Sequence, residues 1–529
     1  MVPPVWKGRT AEPPEASVDS VVSRSDELGV RVPRGEPSDE QEFPPELSAG
    51  ENFIAGPLPD DPEEDAGEQV DEAAIEERAR YELRVVEAEL NERWPETKIE
   101  PSLTRITALL KLLGDPQLAY PIVHLAGTNG KSSTARMIDS LLTRLGLRVG
   151  RYTSPHLQLV TERISIDGGP ISAEKYVDTF RDVAPFVSMV DSAAGAGEPA
   201  MSKFEVLTGM AFAAFADAPV EAAVLETGLG GRWDATNAAD GQVAVITPIG
   251  IDHVEYLGSD PRGIAAEKAG IIKPGSVAVL AEQQPDVERV LLERAVEVDA
   301  TVARAGSEFS VLRREIAVGG QLLTLQGLGG VYDEIFLPLH GAHQAANAAV
   351  ALAAVEAFFG AGKDKQLVAD VVREAFAGVV NPGRLEPARA APTVLLDSAH
   401  NPHGAAALAA TISEEFAFRR LAAVVGVMRD KDVTGILEAL EPVVSEIVVT
   451  RNSSERSMPP AELAELARPV FGEERVFVEP TLDAAIESAV ALVERTDDPE
   501  EPLSGGGVLV TGSVVTVGDA RTLLGKEPV

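Results

Sequence analysis

The 529-residue sequence contains no cysteine, which excludes disulfide bonds, thiolate catalysis and cysteine-ligated zinc. It also lacks the uninterrupted apolar run of ~18 residues that a membrane-spanning helix needs, because Asp217 and Glu221 interrupt the richest candidate, residues 207–225. The first residues, MVPPVWKGRTAEPPEAS, lack the charged-then-apolar order of a signal peptide. We therefore expect a soluble, cytoplasmic protein.

Positive charge is also scarce. The chain has 46 Lys and Arg residues against 84 Asp and Glu residues, a net charge of −38. Nucleic acid and anionic membranes would be repelled by such a surface, so neither is expected as a partner. Small anionic molecules remain possible ligands, because a local cluster of Lys, Arg and backbone N–H groups can bind one on an acidic protein.

Residues 1–72 differ from the rest of the chain. They contain 11 of the 37 prolines and 19 acidic residues against 5 basic ones. Such a segment cannot bury enough apolar surface to offset the entropy of ordering it, so we predict a disordered extension. The remainder still has a net charge of −24, so the acidity is not confined to this segment.

Beyond the extension, strand-like and helix-like patterns alternate. Residues 73–94 have a helical pattern with many charge pairs, and residues 132–146 place apolar residues on one helical face. Residues 310–338 look like an antiparallel β excursion, and residues 341–360 look like a helix. Short apolar runs typical of buried parallel strands occupy residues 121–126, 147–153, 222–227, 243–249 and 277–282. This order predicts a doubly wound α/β sheet.

Two prolines and a glycine near residues 381–387 interrupt the pattern, and we place an interdomain hinge there. Strand-like runs then resume within a smaller unit, at residues 392–397, 421–428, 446–450, 475–480 and 507–513. The predicted organisation is an extension over residues 1–72, a phosphate-loop (P-loop) domain over residues 73–381, and a smaller Rossmann-like α/β domain over residues 382–529.

The sequence HLAGTNGKSSTARM, residues 124–137, combines a strand, a glycine turn and a helix. This arrangement points backbone N–H groups at an anion, and Lys131 could reach the outer phosphates of a nucleotide. Ser132 or Ser133 could supply a hydroxyl to magnesium. Leu125 stands where the usual phosphate-loop pattern has its first glycine, and an ordinary strand–helix turn remains an alternative. Kinases, GTPases, transporters and ligases all use such loops, so the reaction stays open at this point.

Further polar clusters follow other strands. Glu226, in ETGLGGRWDATN, ends a strand where a hard-oxygen magnesium ligand is expected, although a flexible glycine-rich loop would look similar. Ser154, in YTSPHLQLVTERI, belongs to the same sheet edge, where a Ser-Pro turn is the alternative. His253 could bind a metal, act as a base or lie on the surface. Lys268 could be a solvated lysine or could form a carbamate with CO₂.

A last group of polar residues flanks the hinge. It consists of His343, Gln344, Asn347, Arg384 and the run DSAHNPHG at residues 397–404. Arg384 and Asp397 straddle the start of the second domain, so we expect them to face an interdomain cleft. All seven histidines fall in or beside these clusters.

Ten motifs in this order resemble folylpolyglutamate synthase/dihydrofolate synthase, the folate branch of the Mur-ligase-like amide ligases. The resemblance runs from about residue 98 to about residue 524. The motifs are AGTNGKSS, SPHLQLVTERI, ETGLGGRWDATN, DHVEYLG, EKAGIIKPG, HQAAN, PGRLE, DSAHNPHG, GVMRDKD and VTGS.

The resemblance implies roles for individual residues. Catalytic roles fall to Lys131, Lys268, His253 and Glu226. The ATP-binding residues are Thr128, Asn129, Gly130, Lys131, Ser132, Ser133, Asn347, Arg384, Asp397 and His400. Two Mg²⁺ ions would be held by Ser154, Glu226, His253 and a carbamate derived from CO₂ on Lys268. The pterin or folate would contact Glu100, Pro101, Ser102, Ser202, Lys203, Phe204, Glu205, Trp233, Asp234 and Ala235.

Three residues depart from the family pattern. Ser132 stands where this branch more often has glycine, so the identity of the metal-binding serine is open. Ser398 replaces a usual glycine, and Trp233 replaces a common leucine in the pterin region.

The resemblance implies an ADP-forming ligase, active as a monomer, that adds L-glutamate to dihydropteroate, to the glutamyl tail of (tetrahydro)folate, or to both, through an acyl phosphate. One alternative is a cell-wall Mur-type amino-acid ligase, which would need an added nucleotide-sugar domain that residues 1–72 are too polar to form. Another is a regulatory phosphate-loop protein that only hydrolyses nucleotide. The residues Arg384 and Asp397 speak against that second alternative.

Overall fold

Three β-sheets organise the part of the chain that the computed structural model describes, residues 72–94, 100, 102–195, 198–360, 362, 365–495 and 505–529. The predicted disordered extension therefore lies outside the described residues, except for Glu72. There, helix α1 (Glu72–Asn91) begins, as the charge-rich helical pattern predicts. The described residues belong to one compact unit.

An eight-stranded sheet with the order β4-β3-β2-β5-β1-β6-β7-β8 forms the centre of the first lobe. Its strands are β1 (Ile122–Ala126), β2 (Val149–Tyr152), β3 (Ile164–Ile166), β4 (Gly169–Pro170), β5 (Ala222–Glu226), β6 (Val243–Ile246), β7 (Val277–Leu280) and β8 (Thr301–Arg304). Only β3 runs antiparallel to the other strands of this sheet. Every residue of β1 and β5 is buried, because helices cover both faces of a parallel sheet.

Helices of the first lobe cover this sheet. After α1 they are α2 (Thr104–Leu112), α3 (Lys131–Arg144), α4 (Ala173–Ala193), α5 (Lys203–Asp217), α6 (Val254–Leu257), α7 (Pro261–Lys268), α8 (Pro285–Glu297), α9 (Ala342–Phe358) and α10 (Ala369–Ala377). Helix α3 buries Met137, Ile138, Leu141 and Leu142, the face that the sequence pattern predicts. Among the described residues, no helix is long and apolar enough to cross a membrane.

A three-stranded antiparallel sheet, β11-β10-β9, follows the large one. Its strands are β9 (Ser310–Ala317), β10 (Gly320–Gln326) and β11 (Val331–Leu337). The predicted β excursion over residues 310–338 is confirmed. The buried residues of this sheet, such as Leu325 and Ile335, join the core around α3 and α9.

The second lobe carries a six-stranded sheet, β12-β13-β17-β14-β15-β16, in which only β12 is antiparallel. The strands are β12 (Glu386–Ala390), β13 (Thr393–Leu396), β14 (Arg420–Val425), β15 (Glu446–Val449), β16 (Val476–Val478) and β17 (Gly506–Thr511). The helices are α11 (Pro402–Glu415), α12 (Val433–Leu440), α13 (Pro460–Phe471), α14 (Leu482–Val493) and α15 (Val514–Leu523). The predicted α/β architecture is confirmed, while the domain boundary at residue 381 stays a prediction.

Strand order fixes where a ligand can bind. Strand β1 lies between β5 and β6, and residues Leu125 and Glu226 are register partners near the carboxyl ends of their strands. The chain enters α3 directly from β1, through residues 127–130. Ligands of open α/β sheets bind outside the carboxyl ends of the strands, so the phosphate loop and Glu226 share one binding edge.

Candidate active site

The phosphate loop is shaped by two glycines with positive φ angles. Gly127 (φ 156°) packs so closely on Thr247 that a Cβ atom would lie 1.8 Å from Thr247 Oγ1. A Cβ on Gly130 (φ 85°) would lie 2.7 Å from Asn347 Oδ1. The second contact brings Asn347 of α9 to the start of α3, as expected for a residue that contacts the nucleotide. Only glycine allows both close approaches.

Two lysine amines converge on one carbonyl oxygen of this loop. Lys131 Nζ donates to the carbonyl oxygens of Gly127 (3.2 Å) and Thr128 (3.3 Å), and Lys268 Nζ donates to the Gly127 carbonyl oxygen (2.8 Å). Lys268 is buried, and its burial together with the charge of Lys131 lowers its pKa to about 7. Lys268 therefore loses its proton more easily than an ordinary lysine.

Glu226 lies buried at the end of β5. Its Oε1 accepts a hydrogen bond from Ser132 Oγ (2.9 Å), while its Oε2 has no hydrogen-bond partner among the described residues. Burial raises the pKa of Glu226, and the charge of Lys131, the Ser132 hydrogen bond and the Ser154 N–H oppose that shift. A buried carboxylate with an unsatisfied oxygen next to a hydroxyl is a suitable partner for a hard cation.

The two candidate serines differ in their partners. Ser133 is buried, and its hydroxyl accepts a hydrogen bond from Asn381 Nδ2 (2.7 Å), whereas Ser132 faces Glu226. Thr128 Oγ1 donates to the Gly250 carbonyl oxygen (2.9 Å), which ties the loop to the segment after β6. The arrangement favours Ser132 as the serine that could reach a metal ion.

His253 follows β6 and adopts a left-handed backbone conformation (φ 51°) at the start of α6. Burial lowers its pKa to about 4, with Asp252 opposing the shift, so the imidazole is neutral at physiological pH as a metal ligand must be. Ser154 and His253 line the same large cleft. Within the described ranges, no three His, Asp or Glu side chains converge as a metal cage. The predicted ligands are instead of different types: a serine, a glutamate, a histidine and a lysine carbamate. Mg²⁺ commonly binds only a few protein ligands together with substrate phosphates.

Asn129 connects the phosphate loop to the second lobe. Its Nδ2 donates to Asn401 Oδ1 (3.2 Å) and to His403 Nδ1 (2.7 Å), and its Oδ1 accepts from Asn401 Nδ2 (3.1 Å). Asn401 also caps α11 by accepting a hydrogen bond from the Gly404 N–H (2.8 Å). The DSAHNPHG motif therefore contacts the loop that is predicted to hold phosphate.

Asp252 is the second junction between the lobes, and it was absent from the predicted site residues. It accepts hydrogen bonds from Lys431 Nζ (2.6 Å) and Asn401 Nδ2 (3.1 Å), and His400 Nε2 lies 3.6 Å away. Burial alone would raise the pKa of Asp252, but the His400 contact and the charge of Lys431 hold it below its usual range. Asp252 is thus a buried anion that residues of the second lobe neutralise.

Loss of the ion pair between Asp252 and Lys431 is expected to weaken the association of the two lobes. The Asp252 and Lys431 side chains are 8% and 9% exposed, so Asp252→Asn or Lys431→Met should each cost about 2 kcal/mol or more of unfolding free energy. Removal of both charges should cost less than the sum of the two single changes. Urea unfolding of the four proteins in the double-mutant cycle measures this coupling.

Asp286→Asn is the matched control for that cycle, because Asp286 forms a surface pair with Arg289 in which the side chains are 74% and 59% exposed. We expect this change to alter stability by less than about 1 kcal/mol. Strictly additive effects of Asp252→Asn and Lys431→Met would contradict an energetic link across the lobes.

Arg384 and Asp397 meet at the hinge, as expected. Asp397 Oδ2 accepts from the Leu385 N–H (3.0 Å) and its Oδ1 from the Ala399 N–H (2.9 Å). Burial raises the pKa of Asp397, and the Arg384 charge opposes that shift. Asp397 therefore shapes the turn that carries Arg384.

A cleft of about 580 Å³ lies between the lobes. Its first-lobe wall includes eight of the ten predicted pterin residues: Glu100, Ser102, Ser202, Phe204, Glu205, Trp233, Asp234 and Ala235. Lys203 is not among the lining residues and donates to Asn91 Oδ1 on α1 (2.7 Å). Pro101 lies outside the described residues. The second lobe contributes His400, Met428, Asp430, Lys431, Arg456 and residues 513–515.

Several cleft residues also shape the wall. Ser202 and Glu205 form a capping box at the start of α5, and Arg105 Nε donates to both Glu205 oxygens (3.0 and 3.1 Å). Asp234, which is buried, accepts hydrogen bonds from the N–H groups of Leu229 (2.9 Å) and Thr236 (3.0 Å). Arg105 was missing from the predicted site residues, because nothing in its local sequence indicates that it pairs with Glu205, which lies 100 residues away.

Family models match both lobes of the chain. The Mur ligase middle domain matches residues 125–355, and the Mur ligase glutamate ligase domain matches residues 383–514. The first match covers the phosphate loop and Glu226. The second begins beside Arg384.

The chain is similar to two curated bacterial proteins named dihydrofolate synthase/folylpolyglutamate synthase. It is 59% identical to the Mycobacterium tuberculosis protein over 460 residues, covering 84% of this chain and 94% of that protein. It is 33% identical to the Bacillus subtilis protein over 439 residues, covering 80% of this chain and 95% of that one.

Solved structures give the same result. The Mycobacterium tuberculosis folylpolyglutamate synthase complexed with ADP matches with a TM-score of 0.82 at 57% identity, covering 85% of this chain and 100% of that one. Escherichia coli FolC in complex with DHPP and ADP matches with a TM-score of 0.71 at 29% identity, covering 84% and 97% of the two chains. The chain belongs to the dihydrofolate synthase/folylpolyglutamate synthase family of Mur-type ligases.

Proposed function

We propose that this protein uses ATP to join L-glutamate to dihydropteroate, to the glutamyl tail of a folate, or to both. The observation that carries the proposal is the shared cleft. Eight of the ten residues predicted to contact the pterin line the same 580 Å³ space as Ser154 and His253, which are predicted to hold magnesium near the ATP phosphates. A carboxylate acceptor and the γ-phosphate would therefore meet at one place.

The reaction proceeds in two steps. A carboxylate oxygen of the acceptor attacks the γ-phosphorus of ATP, the bond to ADP breaks, and an acyl phosphate forms. The α-amino nitrogen of glutamate then attacks the acyl carbon, the bond to phosphate breaks, and an amide and inorganic phosphate result, with the amine proton passing to solvent. Lys131 places a positive charge beside the transferring group, since its amine lies at the start of α3.

The side chains of Glu226, Ser154 and His253, together with Ser132, would hold Mg²⁺. The unpartnered Oε2 of Glu226 and the neutral imidazole of His253 fit a divalent cation. When bound, Mg²⁺ neutralises negative charge on the phosphates. Two ions are expected from the family resemblance.

Lys268 would carry a carbamate. A neutral lysine amine takes up CO₂ and releases a proton, and burial favours the neutral amine by lowering the pKa to about 7. Conversion to an anion would also remove the repulsion between the two amines that share the Gly127 carbonyl oxygen. The carbamate nitrogen keeps one hydrogen, so it can still donate to that oxygen.

Contact between the lobes would exclude water from the acyl phosphate, which water otherwise hydrolyses. The bonds of Asn401 to Asn129 and Asp252, and of Lys431 to Asp252, hold the lobes together beside the phosphate loop. Arg384 would then contact the nucleotide from the hinge. The protein would work as a cytoplasmic monomer without nucleic-acid or membrane partners, in keeping with its charge of −38.

One assay tests the function. ADP formation is measured with ATP, Mg²⁺ and L-glutamate, with dihydropteroate, tetrahydrofolate or no acceptor added. We expect at least a ~10²-fold stimulation by one or both pterin acids, because most of the transition-state stabilisation requires the acceptor carboxylate. Comparison of the two acceptors separates dihydrofolate synthesis from chain extension.

Other outcomes of this assay would overturn the proposal. Equal turnover without acceptor would indicate a regulatory nucleotide hydrolase. Stimulation by a nucleotide-linked sugar peptide, with no response to pterins, would indicate a cell-wall ligase.

A further inference from the structure

A second, smaller cavity of about 50 Å³ lies beside the phosphate loop. Its walls come from α3, the loop after β2, the hinge and the loop after β13. Ser132 and Arg136 stand four residues apart on α3 and so share one face of that helix. The cavity is thus adjacent to the large cleft but lined by a different set of residues, apart from Pro155 and Val514, which line both.

Two guanidinium groups line this cavity, Arg136 and Arg384. Arg136 donates to the backbone carbonyl oxygen of Val380 (3.5 Å) and to a carboxyl oxygen of the last residue, Val529 (3.0 Å), and Arg384 donates to the carbonyl oxygen of Gly383 (3.2 Å). Neither is within ion-pair distance of an Asp or Glu side chain in the described ranges. Burial and the charge of Arg151 lower the pKa of Arg136 to about 9, while the carboxylates of Glu162 and Asp139 oppose that shift.

Neutral donors complete the lining. His156 Nδ1 accepts a hydrogen bond from Arg163 Nε (3.0 Å), which leaves the ring proton on Nε2. Ser398 is 2% exposed, and its hydroxyl has no hydrogen-bond partner among the described residues. Glu162 also lines the cavity, but its oxygens accept hydrogen bonds from three backbone N–H groups, those of Leu157, Gln158 and Leu159. The lining of the cavity therefore offers more hydrogen-bond donors than acceptors, which favours an anion as the ligand.

The size of the cavity limits the occupant. A volume of about 50 Å³ has room for roughly three to five water-sized groups, which suits a tetrahedral oxyanion and excludes an adenosine or a pterin. We propose that this cavity is a binding site for inorganic phosphate, held by Arg136, His156 and Ser398, with Arg384 between this site and the nucleotide that it is proposed to contact. The identity of the occupant rests on the proposed function, because the ligase reaction releases phosphate next to Ser132.

The site would hold phosphate after it leaves the acyl carbon and before it reaches solvent. The nearby nucleotide phosphates have the same chemistry, so the experiment must separate the two sources. Inorganic phosphate is titrated calorimetrically into the full-length protein saturated with AMPPCP and Mg²⁺. The analogue occupies the phosphate loop, so any remaining phosphate binding reports a separate site.

We expect saturable phosphate binding to the AMPPCP complex. Arg136→Gln should raise the phosphate Kd roughly tenfold or more, since hydrogen bonds to charged groups contribute about 1.5–3 kcal/mol. Ser398→Ala should raise it about threefold to tenfold. Arg136→Lys keeps the charge but loses the planar fork, and should lie between wild type and Arg136→Gln.

Arg144→Gln is the matched control, because Arg144 lies on the same helix with 55% of its side chain exposed, in a surface pair with Glu374. It should leave the phosphate Kd unchanged. AMPPCP affinity and thermal unfolding confirm that each variant is folded.

Competition of phosphate with AMPPCP would assign the cavity to the nucleotide and overturn the proposal, as would unchanged phosphate affinity in both Arg136→Gln and Ser398→Ala. Phosphate binding without pterin-dependent turnover would refute the proposed function but not the anion site. Pterin-dependent turnover without phosphate binding would refute the anion site but not the proposed function.

Discussion

Lys131→Ala is expected to lower pterin-dependent ADP release by about 10³-fold, the scale on which single cationic groups act in phosphoryl transfer. The Lys131 amine lies at the start of α3, within 3.3 Å of two carbonyl oxygens of the phosphate loop, and its charge acts on the buried Glu226. Among the described residues, no other lysine is the first residue of a helix that directly follows a parallel strand. The loss should therefore fall mainly on kcat, because charge develops on the phosphoryl group during transfer.

Two variants make this result specific. Lys131→Arg keeps the charge but changes its shape, and should retain more activity than Lys131→Ala. Lys111→Ala removes a lysine that is 70% exposed and paired with Asp115 on the surface, so activity should stay at the wild-type level. Residual turnover above about a tenth of wild type in Lys131→Ala would remove the proposed role.

The sheets could be predicted because buried parallel strands are short apolar runs with little alternation. Strands β1 and β5 are buried along their whole length, and the parallel core strands lie within or at the edge of their predicted runs, whereas the edge strands β3, β4, β8 and β12 were not predicted. The strand ends then indicated the binding edge, since the chemistry-bearing residues follow the strands directly. Glu226 and the phosphate loop were placed together on this reasoning alone.

The contacts between the lobes could not be predicted from the sequence. Asp252 and Lys431 are separated by 179 residues, and no local pattern shows that one neutralises the other. Asn401 was noticed as part of a motif, but its bonds to Asn129 and Asp252 depend on how the two sheets are oriented. Such pairs follow from tertiary geometry rather than from periodicity.

Residue type also proved ambiguous at individual positions. All seven histidines lie near motifs, yet His124 is fully buried in β1 and hydrogen-bonds to Thr236 Oγ1 (2.8 Å). Burial lowers the pKa of His124 to about 3, so it is a neutral structural residue. The sequence left Ser132 and Ser133 equivalent, and the structure separates them by the hydrogen bond of Ser132 to Glu226 and that of Asn381 to Ser133.

Lys268→Ala should lower pterin-dependent ADP release by about 10²- to 10³-fold, the range for removal of one preorganised electrostatic group. The proposed carbamate supplies an anionic oxygen that alanine cannot supply. Small carboxylic acids such as formate or acetate should restore part of the activity of Lys268→Ala, because they can occupy the space that the side chain leaves and provide a carboxylate. Activity measured against acid concentration tests this directly.

Lys273→Ala is the matched control, since Lys273 lies in the same EKAGIIKPG motif but contacts Asn237 and the surface residue Asp240. It should be nearly as active as wild type and gain nothing from added acids. ¹³C-labelled bicarbonate provides a readout independent of turnover, because a carbamate carbon signal should be present in wild type and Lys273→Ala and absent in Lys268→Ala. A Lys268→Ala enzyme with full activity, or a wild-type protein without that signal, would refute the proposed carbamate on Lys268.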